Sequence, residues 1–90
     1  MAPGPAGRLR AVNAPVPVAV RIGTGGAPSE VVLRGRECEV AAVQERWRVD
    51  EGWWWDRPVS RLYWQLVLID GRLVTVYQDL EDKTWWLQRA

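Results

Sequence analysis

The residues best equipped for chemistry stand together, in Arg46-Trp47-Arg48-Val49-Asp50-Glu51-Gly52-Trp53-Trp54-Trp55-Asp56-Arg57-Pro58. Four of the chain's seven tryptophans fall in this stretch, mixed with three arginines and three acids. The chemistry such a mixture supports is recognition. Indole faces stack on other rings, and guanidinium groups stack on aromatics or grip carboxylates and phosphates with a planar fork. Arg61 and Tyr63 follow closely and extend the set. The candidate binding residues are therefore Arg46, Trp47, Arg48, Trp53, Trp54, Trp55, Arg57, Arg61 and Tyr63.

Three readings of this stretch compete. Trp, Tyr and Arg are the types concentrated at protein-interface hot spots, which suits an anchor for a protein partner. Single-strand nucleic-acid binders use the same types, stacking bases on rings for ~1–3 kcal/mol each while cations follow the backbone. Asp50, Glu51 and Asp56 count against that use: residues 46–61 hold four Arg and three acids, a local charge of +1. The third reading is that the rings only plug a small core. If 53–55 is extended, Trp54 opposes Trp53 and Trp55, because side chains alternate along a strand. One side then fills the interior and the other meets solvent or a partner. Seven Trp exceed what so small an interior requires, so some indole is expected to be left for another molecule.

Catalysis finds less support. The chain has no His, the commonest general base and metal ligand. It shows no Gly-rich loop opening a helix and no nucleophile with a base at a recognisable spacing. Ser29 and Ser60 each sit beside a turn, and the pair Glu81-Asp82 reads as solvated. Cys38 is the single cysteine, which rules out an internal disulfide and a cysteine metal cluster and suggests inert core. No catalytic residue, metal or cofactor is expected. The net charge of +1 exerts no global pull on nucleic acid. No apolar run approaches the ~18 residues of a membrane span, and no secretory signal opens the chain, so a reduced cytoplasmic setting is expected.

The elements that must position these residues read as strands. Residues 1–16, rich in Pro, Gly and Ala, form a flexible, disordered leader, and 17–90 form one small domain. Val16, Val18, Val20 and Ile22 alternate with period two, Gly23–Pro28 is a loop, and Glu30–Arg34 is a second strand. Gly35 suits a tight turn with positive φ. Residues 37–49 form a third strand with Cys38, Val40, Ala42 or Val43, and Trp47 facing inward; a slip of the alternation at Ala41-Ala42-Val43 signals a bulge. A short helix over Val40, Val43 and Trp47 is the competing reading. A loop at 50–59 leads to the clearest strand, 60–69, with Leu62, Trp64, Leu66 and Leu68 on one face. Asp70-Gly71 predicts a two-residue type I′ hairpin turn into strand 72–78. An acidic turn at 79–83 precedes a last strand at 84–88, and Asp79 is expected to bond backbone amides beside that turn. About six short antiparallel strands in sequence order make an all-β domain. A small antiparallel barrel or strongly curled sheet, an SH3-like or OB-like roll, hides its edges most economically.

From about Val18 onward the chain resembles a small bacterial domain of uncharacterised function. A related form is the C-terminal tail of the catalytically inactive Y-family polymerase paralogue of the DNA-damage mutasome. The resemblance runs through Trp47-Arg48-Val49, Gly52-Trp53-Trp54, Arg57-Pro58, Arg61, Tyr63, Asp70-Gly71, Tyr77-Gln78-Asp79-Leu80 and Trp85-Trp86-Leu87-Gln88-Arg89. Trp64 departs from it, standing where that family has Tyr or Phe. The resemblance implies a non-catalytic adaptor in translesion synthesis or mutagenic repair that engages a repair or polymerase protein, and it supplies no catalytic residues. Direct single-stranded DNA binding, and a homo-oligomer formed through an exposed strand edge, stand as the alternatives.

Overall fold

A computed structural model describes residues 14–51 and 59–88. They form an all-β unit of seven strands: β1 (Val16–Pro17), β2 (Ala19–Ile22), β3 (Pro28–Leu33), β4 (Arg36–Glu51), β5 (Val59–Leu68), β6 (Leu73–Asp79) and β7 (Trp85–Gln88). No helix occurs among the described residues, which removes the helical alternative at 40–47. The order across the sheet is β1-β7-β6-β5-β4-β3-β2, antiparallel at every step. The two ends of that order are one continuous segment of chain, broken only at Val18. Its amide donates to the Trp85 carbonyl at 3.2 Å. The sheet therefore curls until its first segment touches both margins, the strongly curled meander that the alternation implied. Of the leader expected over 1–16, residues 1–13 lie outside the described residues, and Val16 already opens β1.

The core lies inside the curl. Leu66, Leu68, Val31 and Val76 are fully buried, with Trp64 beside them; Val18, Val20, Ala27, Leu33, Cys38, Val40, Leu62, Val74, Trp85 and Leu87 pack around this cluster. The predicted inner face of β5 is thus observed in full. Burying each such aliphatic side chain contributes ~1.5–3 kcal/mol, which is what holds so short a chain folded.

Three local geometries set which side chain faces where. Between β3 and β4, Leu33 pairs with Arg36, leaving Arg34 (φ 52°) and Gly35 (φ 76°) as a two-residue type I′ turn. The turn after β5 differs from the expected one. Leu68 N–H donates to the Arg72 carbonyl and Gly71 N–H to the Leu68 carbonyl, so the loop holds three residues, 69–71, with only Gly71 at positive φ. This is a type I turn followed by a left-handed residue. Asp70 stabilises it by accepting the Arg72 amide at 3.0 Å.

Strand β4 supplies the third geometry. Its partners on β5 run Val40↔Leu68, Ala42↔Val67, Val43↔Leu66, Glu45↔Gln65, Arg46↔Trp64 and Trp47↔Tyr63. Ala41 and Gln44 are each one residue too many, so the expected bulge is joined by a second. One extra residue would bring Trp47 inward, as the alternation suggested. Two restore the original parity, because the side-chain period is two. Arg46 and Arg48 consequently share the face of Trp64 and Leu62, and Trp47 turns to the opposite face, where it is 37% exposed.

Arg34 adopts a left-handed conformation that costs a side chain bearing Cβ roughly 1 kcal/mol. Arg34→Asn or Arg34→Gly should stabilise the fold by about 0.5–1 kcal/mol in urea unfolding, since the type I′ turn favours those residues. An unchanged or lower midpoint would show that the turn is not of this type.

Candidate recognition face

The outer face of β4–β7 carries a continuous row of rings. Cross-strand register places Trp47 opposite Tyr63, Tyr63 opposite Tyr77, and Tyr77 opposite Trp86; Pro17 of β1 then lies opposite Trp86. Trp47 and Tyr63 stack with centroids 5.2 Å apart and planes 6° from parallel. Tyr63 and Tyr77 are 4.9 Å apart and tilted by 38°, and Tyr77 and Trp86 are 6.5 Å apart at 17°. Such pairs add ~0.5–1.5 kcal/mol each beyond their buried area. The row therefore stiffens the sheet while presenting ring surface at its Trp47 end.

Arg61 crosses this row. Its guanidinium lies 4.7 Å from the Tyr77 ring centre, and its Nη1 donates to the Tyr63 hydroxyl at 3.4 Å. Its Nε is buried and has no hydrogen-bond partner. Burial opposes the charge on Arg61, but the Tyr63 hydrogen bond and the neighbouring Tyr77, Tyr63 and Asp79 outweigh it and hold the proton more tightly than in free arginine. Tyr77 is nearly sealed, at 4% exposure. Burial pushes its phenol up from the usual tyrosine value, with Arg61 pulling the other way. Trp86 fixes its orientation by donating from Nε1 to Thr84 Oγ1 at 2.9 Å. Thr84 in turn donates from both its amide and its hydroxyl to Asp82. Asp79 accepts the Glu81 amide at 2.9 Å, the turn-forming role expected of it.

The candidate residues from the sequence divide into three groups. Trp47, Arg61 and Tyr63 share the outer face. Arg46 and Arg48 lie on the inner one, a correction to the single cluster expected. Arg46 covers the Trp64 ring at 5.4 Å. Arg48 is held by Asp50 at 2.8 Å and Ser60 at 3.2 Å, while Ser60 donates to Asp50 at 2.6 Å. The hydrogen bonds from Ser60 and then Arg48 hold the Asp50 carboxyl below its usual range. Trp53, Trp54, Trp55 and Arg57 lie outside the described residues. Asp50, Glu51 and Val59, expected within a loop at 50–59, instead belong to strands, the first two to β4 and the last to β5.

Tyr77 and Trp86 escaped the sequence reading as binding candidates. Their alternation was visible, but the partner of each ring depends on turn length. A two-residue turn at Asp70-Gly71 would set Tyr63 against Gln78, whereas the three-residue loop sets it against Tyr77.

Charge on the outer face is sparse. Around the ring row, from Glu45 to Val49 on β4 and along β5–β7, the charged outward positions are Glu45, Arg61 and Asp79. They hold one cation and two acids, a formal sum of −1. No group of three or more His, Cys, Asp or Glu that could hold a metal occurs among the described residues, and no helix there is long and apolar enough to cross a membrane. The arrangement suits stacking and hydrogen bonding to a partner. No family model, curated protein or solved structure matches this chain.

Two outcomes test this geometry. Trp47→Ala should cost less than about 1.5 kcal/mol, whereas Trp64→Ala should cost about 3–5 kcal/mol, since only the second opens a core cavity. Equal losses would show that Trp47 serves packing alone. In a Tyr63→Phe chain, phenolate absorbance reports Tyr77 alone, which should ionise above the ordinary value of 10.0. Because the folded value is the raised one, that contribution to stability is full below pH 10.0 and lost as pH rises through the folded value. Ionisation of Tyr77 at or below 10.0 would contradict its burial.

Proposed function

We propose that this chain is a non-catalytic protein-binding adaptor whose contact surface is the outer aromatic face, extended by the Trp-rich segment that follows β4. The observation that carries this reading is the stacked Trp47–Tyr63 pair: an indole 37% exposed, rigidly backed by a second ring, on the face turned away from the core. Rigid amphipathic rings of this kind lose little entropy on binding and anchor interface hot spots. The sparse charge around the ring row, one cation and two acids, favours a protein partner over phosphate. The two exposed cations that flank Trp47 on the same strand are already engaged, Arg46 over the Trp64 ring and Arg48 by Asp50. The resemblance noted from the sequence supports a repair or polymerase protein of the bacterial DNA-damage response as that partner.

A photocrosslinking amino acid at position 47 tests both halves of the proposal. It should capture a repair or polymerase component in bacteria exposed to DNA damage, and Trp47→Ala should lower damage-induced mutagenesis without unfolding the chain. Undiminished mutagenesis in cells lacking the chain would overturn the assignment. Single-stranded oligonucleotides should leave tryptophan fluorescence unquenched even at low salt, where phosphate contacts are strongest. Salt-sensitive quenching would instead favour nucleic-acid stacking.

A further inference from the structure

Strand β4 is longer than its neighbours require. Residues 36–39 pair with β3 on one side, and residues 40–51 pair with β5 on the other. From 42 to 51, β4 therefore has no strand on its second side among the described residues. Every residue from Ala41 to Arg48 is exposed. The free hydrogen-bonding groups of this edge can be assigned. Leu68 and Ser60 direct backbone groups to the β6 side, at Arg72 and Leu80, and Ile69 directs its amide to Glu39 of β4. Odd residues of β5 thus face β4, so Trp47 and Val49 bond inward to Tyr63 and Arg61. Arg46, Arg48 and Asp50 point their N–H and C=O groups outward. The bulges that commonly protect such an edge lie upstream, at Ala41 and Gln44, and the register is regular from Glu45 to Glu51.

We propose that this edge pairs antiparallel with the same edge of a second copy, with the two-fold axis at Val49. The choice of occupant rests on charge self-complementarity. Facing residues must share a sheet face, so three symmetric registers set two or more of the outward residues opposite one another, centred on Trp47, Arg48 or Val49. The first sets Arg46 against Arg48 twice. The second sets Arg46 opposite Asp50 twice but sets Arg48 against its own copy at the axis; like charges directly opposite are destabilising, and only the third register has none. The third sets Arg48 opposite the second copy's Asp50 and Asp50 opposite the second copy's Arg48. It places Val49 against Val49 and leaves Trp47 on the diagonal to the second copy's Val49, within reach of an aromatic. The Arg48 and Asp50 side chains are 60% and 57% exposed in their mutual ion pair, so both can be shared across the axis without breaking existing burial. Four backbone hydrogen bonds form, two at each Arg48–Asp50 pair. The outer aromatic row of each copy then continues into the other, with Trp47 beside Val49 of the second copy at the junction.

Charge exchange tests the pairing. Wild type should show concentration-dependent dimerisation in sedimentation equilibrium. Arg48→Asp and Asp50→Arg, each confirmed folded by circular dichroism, should each weaken self-association at least about tenfold, because each sets like charges against one another. An equimolar mixture of the two variants should dimerise again, since acids of one then face arginines of the other. A second measurement does not depend on charge: in a Cys38→Ser background, Val49→Cys should form an intermolecular disulfide on mild oxidation and Arg48→Cys should not. At the axis, a non-hydrogen-bonded pair brings the two Cα atoms to ~4.5 Å, within the range a disulfide spans. A wild-type monomer at millimolar concentration, a mixture no more associated than its components, or equal crosslinking at 48 and 49 would each overturn the proposal.

Discussion

Strand β5 is hydrogen-bonded on both sides, and side chains on a strand alternate faces. Its register against β4 and β6 therefore decides which rings meet. A slip of one residue on either side would exchange the core face for the outer one. Two small devices hold the register. The three-residue loop at 69–71 keeps Leu66 against Val74 and Trp64 against Val76, and so sets Tyr63 against Tyr77. The two bulges of β4 cancel in parity, so Trp47 arrives beside Tyr63. Gly71, at φ 91°, and the Asp70 carboxylate that caps its loop are thus linked through the backbone to an aromatic stack on the far side of the sheet.

The same constraint divides the two faces. Inside the curl, Leu66, Leu68, Val31 and Val76 exclude water and carry most of the folding energy. Outside it, aromatic residues form a layer one side chain deep. Tyr77 is nearly sealed there although it is not part of the aliphatic core, with Tyr63, Trp86 and the guanidinium of Arg61 around it. A domain this small cannot enclose large rings on every side, and it gains by stacking them on one another. That economy leaves the last ring of the row, Trp47, with a partner on one side and solvent available on the other. Stability and recognition thus draw on the same row of side chains.

Electrostatics separates these surfaces further. Arg46 and Arg48 look like partners of Trp47 in a linear reading, yet they project to the other face and are engaged by Trp64, Asp50 and Ser60. Among the described residues around the ring row, Arg61 is the one cation, and Asp79 stands opposite it. Such a face can orient a protein partner through rings and one guanidinium, and it lacks the track of positive charge that a polyphosphate backbone requires. The part of the β4 edge that no described strand covers borders that face, so any strand added there would enlarge it.

Much of the fold could be read directly. Period-two alternation in Leu62–Leu68 and Val74–Val76, Gly35 between two arginines, and the irregularity at Ala41–Val43 located strands, a turn and a bulge, because each depends on local backbone geometry and on which side chains avoid water. The composition of the candidate face was equally plain, since Trp, Tyr and Arg announce their own chemistry. Which of them stand together was not. Trp47 joined Tyr63 and parted from Arg46 and Arg48 through a second bulge at Gln44, where no Gly or Pro marks the chain. Tyr77 and Trp86 joined the row through pairings whose register follows from loop lengths. Local alternation determined the strands and their inner faces, whereas the meeting of rings remote in sequence is a property of paired strands and was decided only when the sheet closed.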